Sequence, residues 1–85
     1  MIRITLKMGT GLCGISSTRI EEMDIDEGVH VADFLVMLSE KMGKDILKPT
    51  VIVVLNGTKL SESEKKLRVL KLGDNVSIFE ALVGG

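Results

Sequence analysis

The feature that most constrains the fold is one helical stripe of apolar residues in the middle of an 85-residue chain. Its apolar positions fall at i, i+3, i+4, i+7 and i+11, as on one face of a helix: Val31, Phe34, Leu35, Leu38 and Met42. Asp33 lies in the first turn, where the helix dipole favours an acid, and Gly43 follows as a C-cap. His30 stands at the N-cap position, where Ser, Thr or Asp is usual. We therefore predict one long helix, Val31–Met42.

The segment at the start of the chain alternates apolar and polar residues, as a half-buried strand does, and a second segment before the helix resumes as a strand after a glycine-rich stretch. The alternate apolar residues of the first segment are Ile2, Ile4, Leu6 and Met8. The second segment spans residues 15–25, and its apolar members are Ile15, Ile20, Met23 and Ile25. One odd interval after Ile20 predicts a β-bulge near Glu21 and Glu22. Asp26-Glu27-Gly28 predicts a turn into the helix.

The chain beyond the helix shows three further signals of local structure. The continuous apolar run Val51–Leu55 is typical of a central strand buried on both faces. Asn56-Gly57 is the strongest two-residue hairpin signal, and it predicts a return strand through residues 58–60. Ser61 with Glu64 has the spacing of a capping box, which predicts one short helical turn.

A last strand is predicted from Val76 to about Glu80, so the elements run strand, strand, helix, strand, strand, helical turn, strand. A chain of this length leaves no room for a second domain. This order predicts an α+β roll, in which about five strands form one mixed sheet and one main helix covers one face. The predicted core residues are Ile4, Leu6, Phe34, Leu35, Leu38, Val51, Val53, Val76 and Ile78.

The composition argues against several classes of function. Eleven basic and twelve acidic residues give a net charge of −1, whereas nucleic-acid binders normally carry a basic field. No apolar run reaches the ~20 residues of a membrane span. Met1 leads directly into strand alternation, which predicts that no signal peptide is present, and a single cysteine rules out an internal disulfide. We therefore expect no nucleic-acid or membrane partner, and a cytoplasmic location.

Residues 9–14, Gly-Thr-Gly-Leu-Cys-Gly, match the glycine pattern of a dinucleotide-binding loop. Such a loop must lead into a helix, because the amides of the helix N-terminus hold the pyrophosphate. Here the loop leads into Ile15–Ile20, which has no helical stripe. We therefore predict a flexible hairpin loop that uses glycines for positive φ, and no stably bound cofactor.

The chain contains no recognisable set of catalytic side chains. Cys13 has no His or Asp near it in sequence to stabilise a thiolate, and His30 is the only histidine. No cluster has metal-ligand spacing, and no two acids are paired for acid–base chemistry. We expect a protein that is not an enzyme and has no metal site, with Cys13 as an inert thiol and His30 as a residue of the helix start.

The sequence ends in two glycines directly after the last strand, Gly84-Gly85. Glycines bury no side chain and are costly to order, so the pair adds nothing to stability. Strand parity points Phe79 outward, and Leu82 and Val83 continue the apolar surface beyond the strand. We therefore divide the chain into a domain of residues 1–81 and a flexible tail of residues 82–85. An exposed apolar patch beside a thin tail predicts a docking surface and a segment that threads into a partner.

Several segments together resemble the MoaD/ThiS family of sulfur carriers, which are ubiquitin-like β-grasp proteins. They are Val31–Leu35, Val51–Gly57, Leu72–Val76, Ile78-Phe79 and Leu82–Gly85. The resemblance covers nearly the whole chain, and its most specific part is the terminal glycine pair after the last strand. It implies that the working group is the carboxylate of Gly85.

The resemblance also implies a mechanism in which partners supply the catalysis. A ubiquitin-activating-type adenylyltransferase uses Mg-ATP to adenylate Gly85, with Phe79, Leu82 and Val83 as its binding contacts and Gly84 as part of the thin tail. A persulfide donor then converts the adenylate to a thiocarboxylate. The acceptor is molybdopterin synthase, through its large subunit, or thiazole synthase in thiamine biosynthesis.

The residues leave three functions open: a sulfur carrier, a protein modifier and an interaction module. The sulfur carrier could serve either of two pathways. The length and the long first hairpin favour the molybdopterin branch, whereas the ending Ile78–Gly85 is closer to the thiamine type. A protein modifier joined to lysines through Gly85 would share the same activation. A β-grasp interaction module with an idle tail would not be adenylated.

Overall fold

A computed structural model of the chain describes residues 1–9, 18–43 and 45–80. The elements are β1 (Ile2–Met8), β2 (Arg19–Ile25), α1 (Val31–Met42), β3 (Val51–Leu55), β4 (Thr58–Lys59), α2 (Glu62–Leu67) and β5 (Asn75–Glu80). This is the predicted order of elements. None of the helices in these three ranges is both long and apolar enough to cross a membrane.

The five strands form one mixed sheet in the order β2-β1-β5-β3-β4. Strands β1 and β5 are parallel, and the other three pairs are antiparallel. The apolar stripe of α1 is buried in the common core with the strands. The predicted α+β roll is therefore confirmed, and the ends of β1 and β5 lie at the same end of the sheet.

Helix α1 has the predicted bounds and caps. Gly43 adopts the left-handed conformation at φ 67°, and its amide donates to the carbonyls of Ser39 and Glu40. The side chain of His30 makes no capping hydrogen bond. The helix start is held instead by the backbone, because the Val31 amide donates to the Arg68 carbonyl at 2.9 Å.

The core has the composition that the periodicities predicted. All nine predicted core residues are buried, and Leu6, Phe34, Val76 and Ile78 are completely inaccessible. Eight further aliphatic residues complete the core: Ile2, Met8, Ile25, Val31, Ile46, Leu55, Leu60 and Leu70. Burial of these apolar side chains is the main stabilising term for a domain of this size.

The predicted β-bulge near Glu21 and Glu22 is wrong. Strand β2 pairs with β1 in an unbroken antiparallel register over all seven of its residues. Ile20 belongs to the outer face, where it is 66% exposed, whereas Ile25 is buried on the inner face. The odd interval in the sequence therefore reflects an isoleucine on the solvent side and not an inserted residue.

The prediction that β3 is buried on both faces is also wrong. Val51, Val53 and Leu55 are buried, but Ile52 and Val54 are only half-buried. Strand β3 lies between β5 and β4, and in the described residues no helix covers the outer face of the sheet. Two apolar side chains of the run therefore face outward.

The turns of the second half follow the local sequence. Asn56 and Gly57 both have positive φ, 50° and 84°, as a type I′ hairpin requires. The Asn56 side chain also joins the hairpin to the start of β5, since its Nδ2 donates to Asp74 at 3.0 Å and its Oδ1 accepts from the Asn75 amide at 2.8 Å. The hairpin is thus tied to the strand that precedes the tail.

The capping box of α2 is complete. The Ser61 hydroxyl accepts from the Glu64 amide at 3.2 Å, and the Glu64 carboxylate accepts from the Ser61 amide at 3.1 Å. The hydrogen bond from the Ser61 backbone lowers the pKa of Glu64, because it favours the charged carboxylate.

We expect Ser61→Ala to lower the free energy of unfolding by about 1 kcal/mol, because it leaves the Glu64 amide without its acceptor. For a domain of this size, that loss lowers the melting temperature by roughly 4–8 °C. Ser63→Ala, on the exposed side of the same helix, is the matched control and should change stability by less than about 0.5 kcal/mol. Equal effects of the two variants in thermal unfolding would contradict the capping role.

The same capping box predicts a pH dependence. Because the folded pKa of Glu64 is lowered, its contribution to stability is present above the unfolded pKa and is lost as the pH falls through the folded value. Glu64→Gln should therefore be less stable than wild type at neutral pH, and the difference should shrink in acid. Urea unfolding at several pH values measures this difference, and a gap that is constant with pH would contradict the assignment.

Candidate docking surface at the end of the last strand

Strand β5 positions the predicted docking residue next to the tail. Val76 and Ile78 point into the core and are completely buried, whereas the alternate residues Ser77 and Phe79 lie on the outer face. Phe79 is 37% exposed, so its predicted outward parity is confirmed. The ring therefore lies on the open face of the sheet, one residue before the end of the described range.

The outer face around Phe79 is apolar and shallowly concave. Ile52 of β3 pairs in register with Phe79, and Val54 pairs with Ser77. A cavity of about 210 Å³ lies on this surface, lined by Lys7, Gly9, Val54, Ser77, Ile78 and Phe79. We call this surface the outer patch. It is formed by Ile52, Val54, Ser77 and Phe79, together with Lys7 of β1 and Gly9, which directly follows β1.

Gly9 lies at one side of the outer patch, where its backbone closely approaches the backbone of β5. A Cβ on Gly9 would lie 2.8 Å from the Cβ of Phe79, which is closer than such atoms pack. The Gly9 amide also donates to the Ile78 carbonyl at 2.8 Å. Gly9 does not have the positive φ that we predicted for the glycines of this loop. Its lack of a side chain is needed for space, and residues 10–14 of the motif lie outside the described residues.

The other end of the outer face carries charge pairs. Arg3 of β1 contacts Asp24 at 3.0 Å and Glu22 at 3.4 Å. The hydrogen bond from Arg3 lowers the pKa of Asp24, and the same bond raises the pKa of Arg3. The outer face is thus divided into a polar end, at the start of β1, and an apolar end, beside the end of β5.

Two lysines flank the apolar end. Lys7 lies across from Ser77 in the parallel β1–β5 pair, and Lys59 lies across from Val54 in the β3–β4 hairpin. Both are exposed, and within the described ranges neither is close enough to a carboxylate to form an ion pair. The outer patch is therefore an apolar surface with a positive rim, which favours a partner with apolar anchors and acidic neighbours.

The remaining predicted site residues lie outside the described residues. They are Leu82, Val83, Gly84 and Gly85 of the tail, and Cys13 of the glycine loop. The boundary between the domain and the tail, after residue 81, also falls there. His30 lies at the start of α1, with its Nδ1 3.8 Å from Asp33, and among the described residues no three His, Cys, Asp or Glu side chains gather as a metal site would require.

Sequence reasoning identified only Phe79 and missed the other five members of the outer patch, Ser77 among them. Ile52 and Val54 were assigned to a doubly buried strand, and Lys7 and Gly9 were not connected with Phe79. A signal for the first pair was present, because a sheet with one predicted helix must leave one face open. The approach of Gly9 to Phe79 has no local signal, since the residues are far apart in sequence.

The architecture is that of a ubiquitin-like β-grasp protein, and solved structures with this fold align over nearly the whole chain. SAMP1 from Haloferax volcanii has a TM-score of 0.70 at 19% identity, over 98% of this chain and 99% of its own. The protein assigned as molybdopterin converting factor, subunit 1, from Pyrococcus furiosus has a TM-score of 0.67 at 23% identity, over 96% and 100%. A ubiquitin-like protein from Caldiarchaeum subterraneum has a TM-score of 0.59 at 16% identity, over 98% and 100%.

The family follows from the sequence. The chain belongs to the ThiS family, whose model matches residues 15–85. No curated protein matches the chain at a significant level. At identities of 16–23%, the likeness to the solved structures concerns the fold.

Adjacent residues of β5 provide a test of the surface assignment. Ile78→Ala should lower the free energy of unfolding by about 2–5 kcal/mol, because it leaves a cavity in the core. Phe79→Ala should cost only about 1 kcal/mol, since the ring lies on the outer face. Chemical denaturation of both variants measures the difference, and a greater loss for Phe79→Ala would place that ring in the core.

Proposed function

We propose that this protein is a sulfur carrier whose working group is the carboxylate of Gly85. The observation that carries the proposal is the ThiS family match, which extends through the terminal glycine pair. The geometry of the fold supports it, because an apolar outer patch lies directly before that tail. In this proposal, the carrier contributes a surface that its partners recognise and a reactive C-terminal carboxylate. It contributes no catalytic residue.

Activation of the tail begins with transfer of an adenylyl group. A carboxylate is a poor electrophile, so a ubiquitin-activating-type adenylyltransferase joins a Gly85 carboxylate oxygen to the α-phosphorus of Mg-ATP, and pyrophosphate leaves. The resulting acyl-adenylate has a good leaving group, AMP. The metal and the nucleotide belong to the partner's active site, where the metal ion would neutralise the charge that develops on the phosphates.

Sulfur then replaces the adenylate. The terminal sulfur of a partner's cysteine persulfide attacks the Gly85 carbonyl carbon and expels AMP, which gives an acyl disulfide. A second partner thiolate attacks the sulfur on the cysteine side of that bond, so the partner is oxidised to a disulfide. Gly85 retains a thiocarboxylate, whose sulfur is donated to a biosynthetic acceptor in the cytoplasm. Molybdopterin synthase and thiazole synthase are the two acceptor classes.

In this proposal, the outer patch is the surface by which partners recognise the carrier. Phe79 and its neighbours Ile52 and Val54 form the apolar anchor region, and Leu82 and Val83, which follow in sequence, are the further apolar contacts of this proposal. Anchors of this kind carry a large part of the binding energy of an interface. Gly84 and Gly85 have no Cβ to collide with the walls of a narrow channel, so they can reach the adenylation centre.

A ubiquitin-like modifier is the second candidate function. SAMP1 is a small archaeal modifier protein by name, and it shares the fold over the full chain. The first step would be the same, but a lysine amine would finally displace the activating group and form an isopeptide bond. The interaction module with an idle tail is the third candidate, and it requires no activation.

Variants of the terminus test the proposal. Deleting Gly85 moves the carboxylate back by ~3.5 Å, and adding one C-terminal residue converts the reactive carbonyl to a peptide bond. Both changes, and Gly84→Val, should slow ATP–pyrophosphate exchange by the same organism's adenylyltransferase by about a hundredfold or more, because small displacements of a reacting group are costly. A one-residue extension before the exposed Met1 is the matched control and should exchange as wild type does.

Exchange by the shortened or extended protein at the wild-type rate would overturn the carrier assignment in favour of the interaction module. The intact mass of protein purified from its native host separates the other two functions. A carrier should show replacement of one terminal oxygen by sulfur, whereas a modifier should appear as isopeptide conjugates on lysines. Conjugates without any thiocarboxylate would favour the modifier.

A further inference from the structure

Gly9 and Phe79 approach each other so closely that a side chain on Gly9 has no room. The clash would be with the Cβ of Phe79, which is bonded directly to the backbone and cannot rotate away. The Ile78 carbonyl and the Phe79 Cα would lie at 3.6 and 3.7 Å from the same position. A larger residue can therefore be accommodated only if the end of β1 moves relative to β5.

The same contact fixes the end of β5, the last element that the structure describes before the tail. Met8 and Ile78 form the last register pair of the parallel strands, and the Gly9 amide adds one further bond to the Ile78 carbonyl at 2.8 Å. On its other side, β5 is held by the pairing of Ile52 with Phe79. A displacement of Gly9 would therefore be transmitted to Phe79 and to the end of β5.

We propose that Gly9 is a positioning residue of the carrier, and that its bare backbone sets both the height of the Phe79 ring in the outer patch and the position of the end of β5, which precedes the tail in sequence. The inference rests on the proposed function, and it assigns to Gly9 a role that the glycine loop motif did not suggest. Gly9 touches no reacting atom and acts only through β5.

A double-mutant cycle separates the two effects. Gly9→Ala should raise the KM for carrier in ATP–pyrophosphate exchange by about tenfold, because the ring is displaced, and couplings of this size are usual between contacting residues. It should also lower kcat by about tenfold or more, because the end of β5, from which the reacting terminus extends in sequence, is displaced. Phe79→Ala retains the Cβ but removes the ring, so in that background Gly9→Ala should lower kcat as before and leave KM unchanged.

Exchanging the two residues provides the rescue. In the double variant Gly9→Ala with Phe79→Gly, the clashing Cβ is removed, so kcat should return to that of Phe79→Gly alone. Amide hydrogen exchange of the free protein gives a readout that needs no partner. The amide of residue 9 should exchange faster in Gly9→Ala than in wild type, since its bond to Ile78 is stretched, and should slow again in the double variant.

Three results would overturn the inference: unchanged hydrogen exchange in Gly9→Ala, full additivity of the KM effects with Phe79→Ala, or no recovery of kcat in the exchanged pair. If the Gly9→Ala protein does not fold, the double variant Gly9→Ala with Phe79→Gly decides the question. Failure of that double variant to fold would also count against the proposal. A wild-type protein that supports no pyrophosphate exchange would overturn the proposed function, and hydrogen exchange would still decide whether Gly9 places β5.

Discussion

Strands β1 and β5 lie side by side in parallel at the centre of the sheet, and the other parts of the structure depend on this pairing. The two strands contribute Leu6, Val76 and Ile78, which are completely buried beneath α1. Because they are parallel, the glycine loop and the tail start from the same end of the sheet. Both the core and the proposed docking surface therefore require the pairing of β1 with β5.

The second constraint is the single helical layer. Helix α1 covers one face of the sheet, so every strand presents half of its side chains to the other face. Apolar residues on that face forgo roughly 25 cal/mol of stabilisation per Å² left in water. Ile52, Val54 and Phe79 are such residues, and they are grouped at one end of the outer face while Arg3 and its acidic partners occupy the other. That segregation supports our proposal that the apolar end of the outer face binds a partner.

Features that depend on local chemistry were predictable from the sequence. The stripe of α1, the Gly43 cap, the Asn56-Gly57 hairpin and the Ser61 capping box each follow from residues a few positions apart. Core membership followed as well, because strand parity and helix periodicity are both short-range patterns. The resemblance to the family is confirmed, although the tail that carries its most specific feature lies outside the described residues.

Features that depend on long-range register were not predictable in the same way. The exposure of Ile20 depends on its pairing with β1, and that of Ile52 and Val54 depends on which face α1 covers. The place of Gly9 depends on Phe79, a residue at the far end of the chain. A periodicity limited to one segment contains none of these relations, so it suggested a bulge and a doubly buried strand that do not form.

The glycines of this chain share one physical property at two different places. At Gly9, the absence of a Cβ lets two strands approach more closely than any other residue would permit. At Gly84 and Gly85, in our proposal, the same absence lets a chain end pass through a partner's narrow channel. The glycine pattern of residues 9–14 has the spacing of a nucleotide-binding loop, and the next element in the described residues after it is strand β2 and not the helix that such a loop precedes. Close approach of backbone, which a dinucleotide loop uses to hold a ligand, serves at Gly9 to hold the strand that leads to the tail.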